Sequence, residues 1–117
     1  HYVDAGHGYW LIKDSMGNVT AAAAARGIPV GIFADTKFHA ERMQLAPGTR
    51  VILFSDGVVE ERDNEGAEFG PSRLAEALRT SASEREDVTR IFAALDGHNQ
   101  SVTLHDDASA ASIHFRG

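Results

Sequence analysis

An oily run that stops on an acid is the feature that most constrains this chain. Residues 50–57 read RVILFSDG, so Ile52, Leu53 and Phe54 lead through Ser55 to Asp56 and Gly57. Three consecutive apolar residues suit a strand buried on both faces. A carboxylate at the end of such a strand loses its water unless something pairs with it. Asp56 therefore either caps a turn or faces a cation. The 117 residues, 43% hydrophobic and 24% charged, allow one globular domain with a modest core. There is no cysteine, which excludes disulfides, thiolate zinc sites and a cysteine nucleophile. The net charge is −6 and the eleven Lys and Arg residues are scattered from Lys13 to Arg116, so no basic stripe exists for nucleic acid. No apolar run approaches the roughly 20 residues that span a bilayer, and no signal peptide is visible. A cytoplasmic chain with no membrane partner is expected. It opens on His1 with a strand-like HYV, as a piece of a longer protein would.

Strands come first, then helices, then a last strand. YWLIK (9–13) and NVTAA (18–22) flank the turn-rich DSMG, which predicts a hairpin. Ala21 to Ala25 are read as strand running into loop, because GIPVG follows at once. Pro47 and Gly48 suit the centre of a type II turn, which predicts an antiparallel pair between 38–45 and 50–54. RDNEG (62–66) is a further turn. Ser72 or Gly70 is the expected cap of a helix with Pro71 in its first turn, and Leu74 and Leu78 share one face. Val88, Ile91, Phe92 and Leu95 recur at helical spacing, with Gly97 as the expected end. In the tail, Ala111, Ile113 and Phe115 alternate with Ser112, His114 and Arg116, the pattern of a half-buried strand. An α+β layered domain with a mostly β core follows.

Asp56 and the pair Asp106–Asp107 sit at the ends of strand-like runs about fifty residues apart, where opposite parts of a sheet can converge. Hard divalent cations such as Mg²⁺ or Mn²⁺ take carboxylate and water oxygens. Gly57 allows a sharp turn after a ligand. If 106 and 107 are extended, only one of them can face the same cation as Asp56. The alternative is plain: Asp-Gly is a common turn, and Asp-Asp before a strand is often a solvated cap.

Taken together, the motifs resemble the C-terminal part of the metal-dependent protein serine/threonine phosphatases of the PPM type, in the bacterial branch typified by the stage II sporulation phosphatase. YVDAGHG (2–8) looks like that family's N-A-G-H turn, and GIPVGI (27–32) like its G-x-P-L-G loop. LAPGTRVILFSDGVVEERDNEGAEFG (45–70) is similar to its long T-D-G-V block, and HDDASAASIHF (105–115) to its closing D-D-x-T strand. The resemblance spans essentially the whole chain. It implies a two-layered antiparallel β-sandwich flanked by helices (αββα), of which residues 1–117 would be an incomplete C-terminal portion of a single domain. It implies two Mn²⁺ or Mg²⁺ ions and a bridging water that attacks a phosphoserine or phosphothreonine. Carried over by motif, Asp56 and Asp106 are metal ligands, Gly57 shapes the ligand loop and Asp107 is a supporting group. The implied substrate is a phosphoprotein, such as an anti-anti-sigma factor in stress or sporulation signalling.

The family's upstream bridging aspartate motif is absent. VDAGHG imitates it, but the spacing from Asp4 to Asp56 fits the N-A-G-H turn instead. His7 is assigned to hydrogen bonding within its loop, and His39, His98, His105 and His114, which lack ligand spacing, to the surface. His105 beside Asp106 could tune that carboxylate. Glu60 and Glu61 are read as a solvated turn face, and Tyr9 and Trp10 as sheet packing. The competing functional reading is a non-catalytic, phosphatase-like module kept for partner binding or dimerisation. With the first strands of a sandwich absent, an apolar sheet face would be bare, which predicts a homodimer or pairing with the missing N-terminal portion.

Overall fold

A computed structural model describes residues 1–21, 27–100 and 103–117. Four strands form one antiparallel sheet in the order β2–β1–β3–β4: β1 (Trp10–Lys13), β2 (Val19–Ala21), β3 (Arg50–Phe54) and β4 (Ala110–His114). Three helices complete the described chain: α1 (Asp56–Val59), α2 (Gly70–Arg79) and α3 (Glu84–Asn99). α2 packs over β2 and α3 over β4, both on one face of the sheet. The Cα envelope of 43 × 36 × 18 Å is that of a slab with one sheet and one helix layer. This is one helix layer and one sheet of the expected αββα arrangement.

The β1–β2 hairpin forms as expected. Asp14 makes its turn by accepting from the backbone N–H of Met16 at 2.8 Å and of Asn18 at 2.9 Å. The Asn18 side chain first, then the backbone N–H groups of the turn, hold the Asp14 carboxyl below the usual aspartate value. The turn at 46–49 also forms, with Thr49 N–H donating to Ala46 O and Gly48 at φ +88. It does not join two paired strands, however. β3 pairs with β1 and β4, while 38–45 contributes only an isolated bridge between Glu41 and Tyr2. Ala21 closes β2, and Ala22–Ala25 lie outside the described residues. At RDNEG, Asp63 Oδ1 accepts from Glu65 and Ala67 N–H, both at 2.9 Å.

Pro71 occupies the first turn of α2, but the cap is Phe69 and no side chain caps it. α3 is capped by Ser83, whose hydroxyl accepts from Glu86 N–H, and it runs past Gly97 to end on a left-handed Gln100. Its buried stripe is Asp87, Ile91, Leu95 and Asn99, with Val88 and Phe92 only half-buried. The core joins Leu11, Ile52 and Phe54 of the sheet to Val58, Phe69, Leu74, Leu78, Ile91 and Leu95. It is therefore shared between helices and sheet rather than mostly β. Tyr9 meets Phe54 and Trp10 meets Tyr2 ring to ring, as sheet packing requires.

The helix-facing side of the sheet is unusually polar. Lys13 and Arg50 lie directly opposite each other on β1 and β3, and both are buried. Like charges in register repel, and here Asp87 and the end of α2 offset them. Arg50 Nε is 2.7 Å from Asp87 Oδ2, and Asp87 is fully buried. Ser112 of β4 donates to Asp87 Oδ2 at 2.7 Å, and Ser81 donates to Oδ1. The Lys13 ammonium meets the carbonyls of Leu78 and Arg79 at the end of α2 and of Ser81 just beyond it. Burial, and then the nearby Arg50 charge, hold the Lys13 pKa below its ordinary value. One acid on α3 thus ties that helix, and Ser81 just after α2, to β3 and β4.

The far side carries Trp10, Ile12, Val51, Leu53 and Ile113. The alternation in β4 is real, but its apolar positions point away from the helices: Ile113 is 58% exposed and Phe115 42%. Ser112 and His114 face inward instead, and His114 Nδ1 lies 3.4 Å from Glu84. His98 is also drawn in, with Nε2 2.9 Å from Ala67 O and its ring against Phe69, while His39 is exposed. The N-terminal segment and Met43 and Leu45 partly roof the far face, leaving an apolar depression of about 330 Å³.

Replacing Asp87 with Asn leaves a buried guanidinium without its counter-charge, and stability falls by about 3–5 kcal/mol. Lys13→Met leaves the end of α2 without its donor and costs about 1–3 kcal/mol. Chemical denaturation at unchanged m checks both. Losses below about 0.5 kcal/mol in each would show that the cluster contributes little.

Candidate metal centre

β3 delivers the chain to the site. Beyond Phe54, Ser55 stays extended and Asp56 begins the single turn α1. The aspartate thus opens a helical turn, not a plain Asp-Gly turn. The pairing between β3 and β4 continues past both strands. Ser55 N–H donates to Ser109 O at 2.9 Å, and Ser109 N–H donates to Ser55 Oγ at 3.0 Å. Ser55 Oγ also reaches Asp107 O at 3.4 Å. Segments 55–57 and 107–109 are clamped side by side.

Gly57 is where the two segments touch most closely. A Cβ at this position would lie 2.4 Å from Asp107 O and 3.1 Å from its carbonyl carbon, so any side chain would push the loop away. The glycine is needed for close approach, since its φ is not among the positive ones. Asp106 lies in a bend and Asp107 in irregular chain, with β4 starting only at Ala110. Strand alternation therefore does not decide between the two acids. Asp107 contributes its carbonyl to the packing, and its N–H donates to Asp106 Oδ1 at 2.7 Å.

Asp56, Asp106 and Asp107 are all exposed. Asp56 Oδ1 accepts only from Gly57 N–H, at 3.0 Å, and no cationic side chain pairs with Asp56 or Asp106 among the described residues. Asp56 and Asp106 each offer carboxylate oxygens, the hard donors that Mg²⁺ and Mn²⁺ accept, from two clamped segments. Among the described residues no group of three or more His, Asp or Glu side chains could hold a metal. The chemistry of these two acids suits such an ion, and two carboxylates are fewer donors than its shell takes.

Asp4 does not join them. Its Oδ1 accepts from Gly6 N–H at 3.0 Å, and its Oδ2 from Gly8 N–H at 3.1 Å, so the carboxylate is spent on its own loop. That loop packs on GIPVG: a Cβ on Gly6 would meet the Pro29 ring at 2.6 Å. His7 makes an edge contact with Tyr9 at 6.1 Å rather than a hydrogen bond within the loop.

Glu61 overturns its expected place on a solvated face. It is 1% exposed, although Glu60 beside it is exposed as expected. Its carboxylate accepts from the Asn99 side chain, from His105 N–H at 3.1 Å, and from His105 Nδ1 at 2.8 Å. His105 is exposed as expected, but its ring nitrogen engages Glu61, not Asp106. Within EER, nothing local distinguishes Glu61, because its partners lie 38 and 44 residues onward.

Gly57→Ala is expected to displace the 106–108 segment and cost about 1–3 kcal/mol, as overpacking does. Amide chemical shifts should change at 106–109 and stay constant in α2. An unshifted 106–109 segment would contradict the contact.

The profile of the family described as stage II sporulation protein E matches residues 1–116. Protein IcfG of Synechocystis sp. is 27% identical over 114 residues, which cover 97% of this chain and 18% of that protein. The solved RsbU and RsbW domains of Rv1364c from Mycobacterium tuberculosis superpose with a TM-score of 0.70 at 21% identity, covering 98% of this chain and 32% of that one. The SiaA-PP2C domain of Pseudomonas aeruginosa gives 0.64 at 26% identity, covering 91% and 42%. The chain thus spans less than half the length of each. A shared fold, a full-length profile match and the paired Asp-bearing loops lead to one conclusion: this chain belongs to the stage II sporulation protein E family and forms part of a PP2C-type, phosphatase-related domain.

Proposed function

We propose that residues 1–117 are the C-terminal portion of a single PPM-type domain that hydrolyses phosphoserine or phosphothreonine in a protein substrate. Asp56 and Asp106 are its two metal ligands here, with Gly57 and Asp107 supporting them. The observation that carries this reading is the clamp between Ser55 and Ser109, which sets two unpaired, acid-bearing segments side by side. When bound, a pair of Mn²⁺ or Mg²⁺ ions supplies water activation and neutralises charge on the phosphoryl oxygens. The chain's own part is to present two carboxylates from a rigid frame and to bring the Asp107 backbone against Gly57. The rest of the ligand set belongs to the upstream portion of the domain, so the isolated chain is expected to be inactive. The substrate class is a signalling phosphoprotein of the cytoplasm, and an anti-anti-sigma factor fits the family.

A second reading, a non-catalytic module for partner binding or dimerisation, draws on two observations: no metal-holding group of three or more acids or histidines among the described residues, and the only partly covered far face of the sheet. Manganese titration of a protein extended at its N-terminus separates the two, because a pure binding module takes up no metal.

In the extended protein, Asp56→Asn and Asp106→Asn should each lower Mn²⁺-dependent p-nitrophenyl phosphate hydrolysis by about a hundredfold or more. Retained turnover and metal uptake in both would sink the ligand assignment. Clear turnover by residues 1–117 alone, lost in Asp56→Asn, would show that the upstream portion is dispensable. For the partly covered far face, light scattering of the 117-residue chain should report self-association, suppressed by adding the upstream portion. A well-behaved monomer would count against that.

A further inference from the structure

We propose that Glu61 is a positioning residue for the metal centre: its buried carboxylate holds the backbone of the Asp106 loop in register with Asp56. This deepens the reading above and rests on Asp56 and Asp106 being ligands. The chain of contacts is short. Asp56 is the first residue of α1, Glu60 caps that turn, and Glu61 follows at once. Its carboxylate reaches back across the fold to His105, the residue immediately before Asp106. The His105 N–H donates to Oε2 at 3.1 Å, and Nδ1 lies 2.8 Å from Oε1, where an ionised carboxylate accepts from it. Asn99, the last residue of α3, donates to the same Oε1 and to Thr103 O at 3.2 Å.

A carboxylate 1% exposed is costly to bury unless donors surround it. Three donors do so, and two of them come from one residue of the ligand loop. The loop is therefore fixed at both ends. Ser55 holds it after Asp107, and Glu61 holds it before Asp106. Both anchors flank the turn that bears Asp56. A purely structural carboxylate would need no such link to a ligand loop. One that sets the spacing of two ligands changes metal affinity when altered, while chemistry at saturating metal persists.

The test uses the full-length phosphatase with Glu61→Gln and His105→Ala, and with Asp56→Asn and Asp106→Asn as controls. Mn²⁺ is the probe. Glu61→Gln is expected to raise the half-saturating Mn²⁺ concentration by about ten- to a hundredfold, with kcat at saturating Mn²⁺ within about threefold of wild type. His105→Ala keeps the backbone donor and should shift the same constant in the same direction by less. In metal-free protein, amide hydrogen exchange over 103–109 should quicken in Glu61→Gln while β3 stays protected. An unchanged Mn²⁺ constant in either variant overturns the proposal. So does a lost kcat at unchanged constant, or faster exchange throughout β3. If Glu61→Gln does not fold, His105→Ala decides by the same criteria. If both aspartate controls keep the wild-type Mn²⁺ constant, it is the ligand reading that has failed. If they lose metal while Glu61→Gln does not, the positioning role alone is overturned.

Discussion

The pairing of β3 with β4 is the constraint on which the rest depends. Without it Ser55 has no Ser109, Gly57 has no Asp107 carbonyl against it, and Asp56 and Asp106 stand on unconnected loops. β3 also carries Ile52 and Phe54 into the core and Arg50 into the polar cluster. One five-residue strand therefore supports the core on one side, an ion pair at its start and the candidate site at its end.

The polar cluster solves a packing problem that the strand register creates. Lys13 opposite Arg50 is a repulsive pair in a dry place. The carboxylate of Asp87 and the carbonyls of Leu78, Arg79 and Ser81 supply the opposite charge from the helix layer. Orientation follows from this arrangement. α2 must end over β1, and α3 must begin beside it, for both sources to reach. Buried charge here fixes which way the helices lie, a role hydrophobic contacts serve poorly because they have no direction.

Much of this was readable from residue order. The run ending at Asp56, the hairpin around Asp14 and the turn at Pro47–Gly48 rest on local patterns and formed, and α3 formed with Ile91 and Leu95 of the expected stripe buried while Asp87 and Asn99 replaced Val88 and Phe92. The failures share a cause. Pairing 38–45 with β3 assumed that neighbours in sequence are neighbours in the sheet, whereas β3 draws both partners from far away. Glu61 looked solvated within EER because its donors are supplied by Asn99 and His105. β4 alternates as expected, but alternation does not say which face meets helices, and that choice is settled by Ser112 and His114 reaching acids on α3. At the candidate site, the motif positions of Asp56, Gly57 and Asp106 were legible. The reason Gly57 must be glycine was not, since the Asp107 carbonyl above it is a long-range neighbour.

The register of β3 has a kinetic side. Its partners on β1 lie about forty positions upstream and those on β4 about sixty downstream, whereas the β1–β2 hairpin and the α2–α3 pair are local. Closing long loops costs entropy before any contact rewards it. Local pieces of the chain can therefore take shape early, while the two acid-bearing segments meet only when the last strand docks onto the middle one. A ribosome must have released everything through β4 before the cradle around Gly57 can exist.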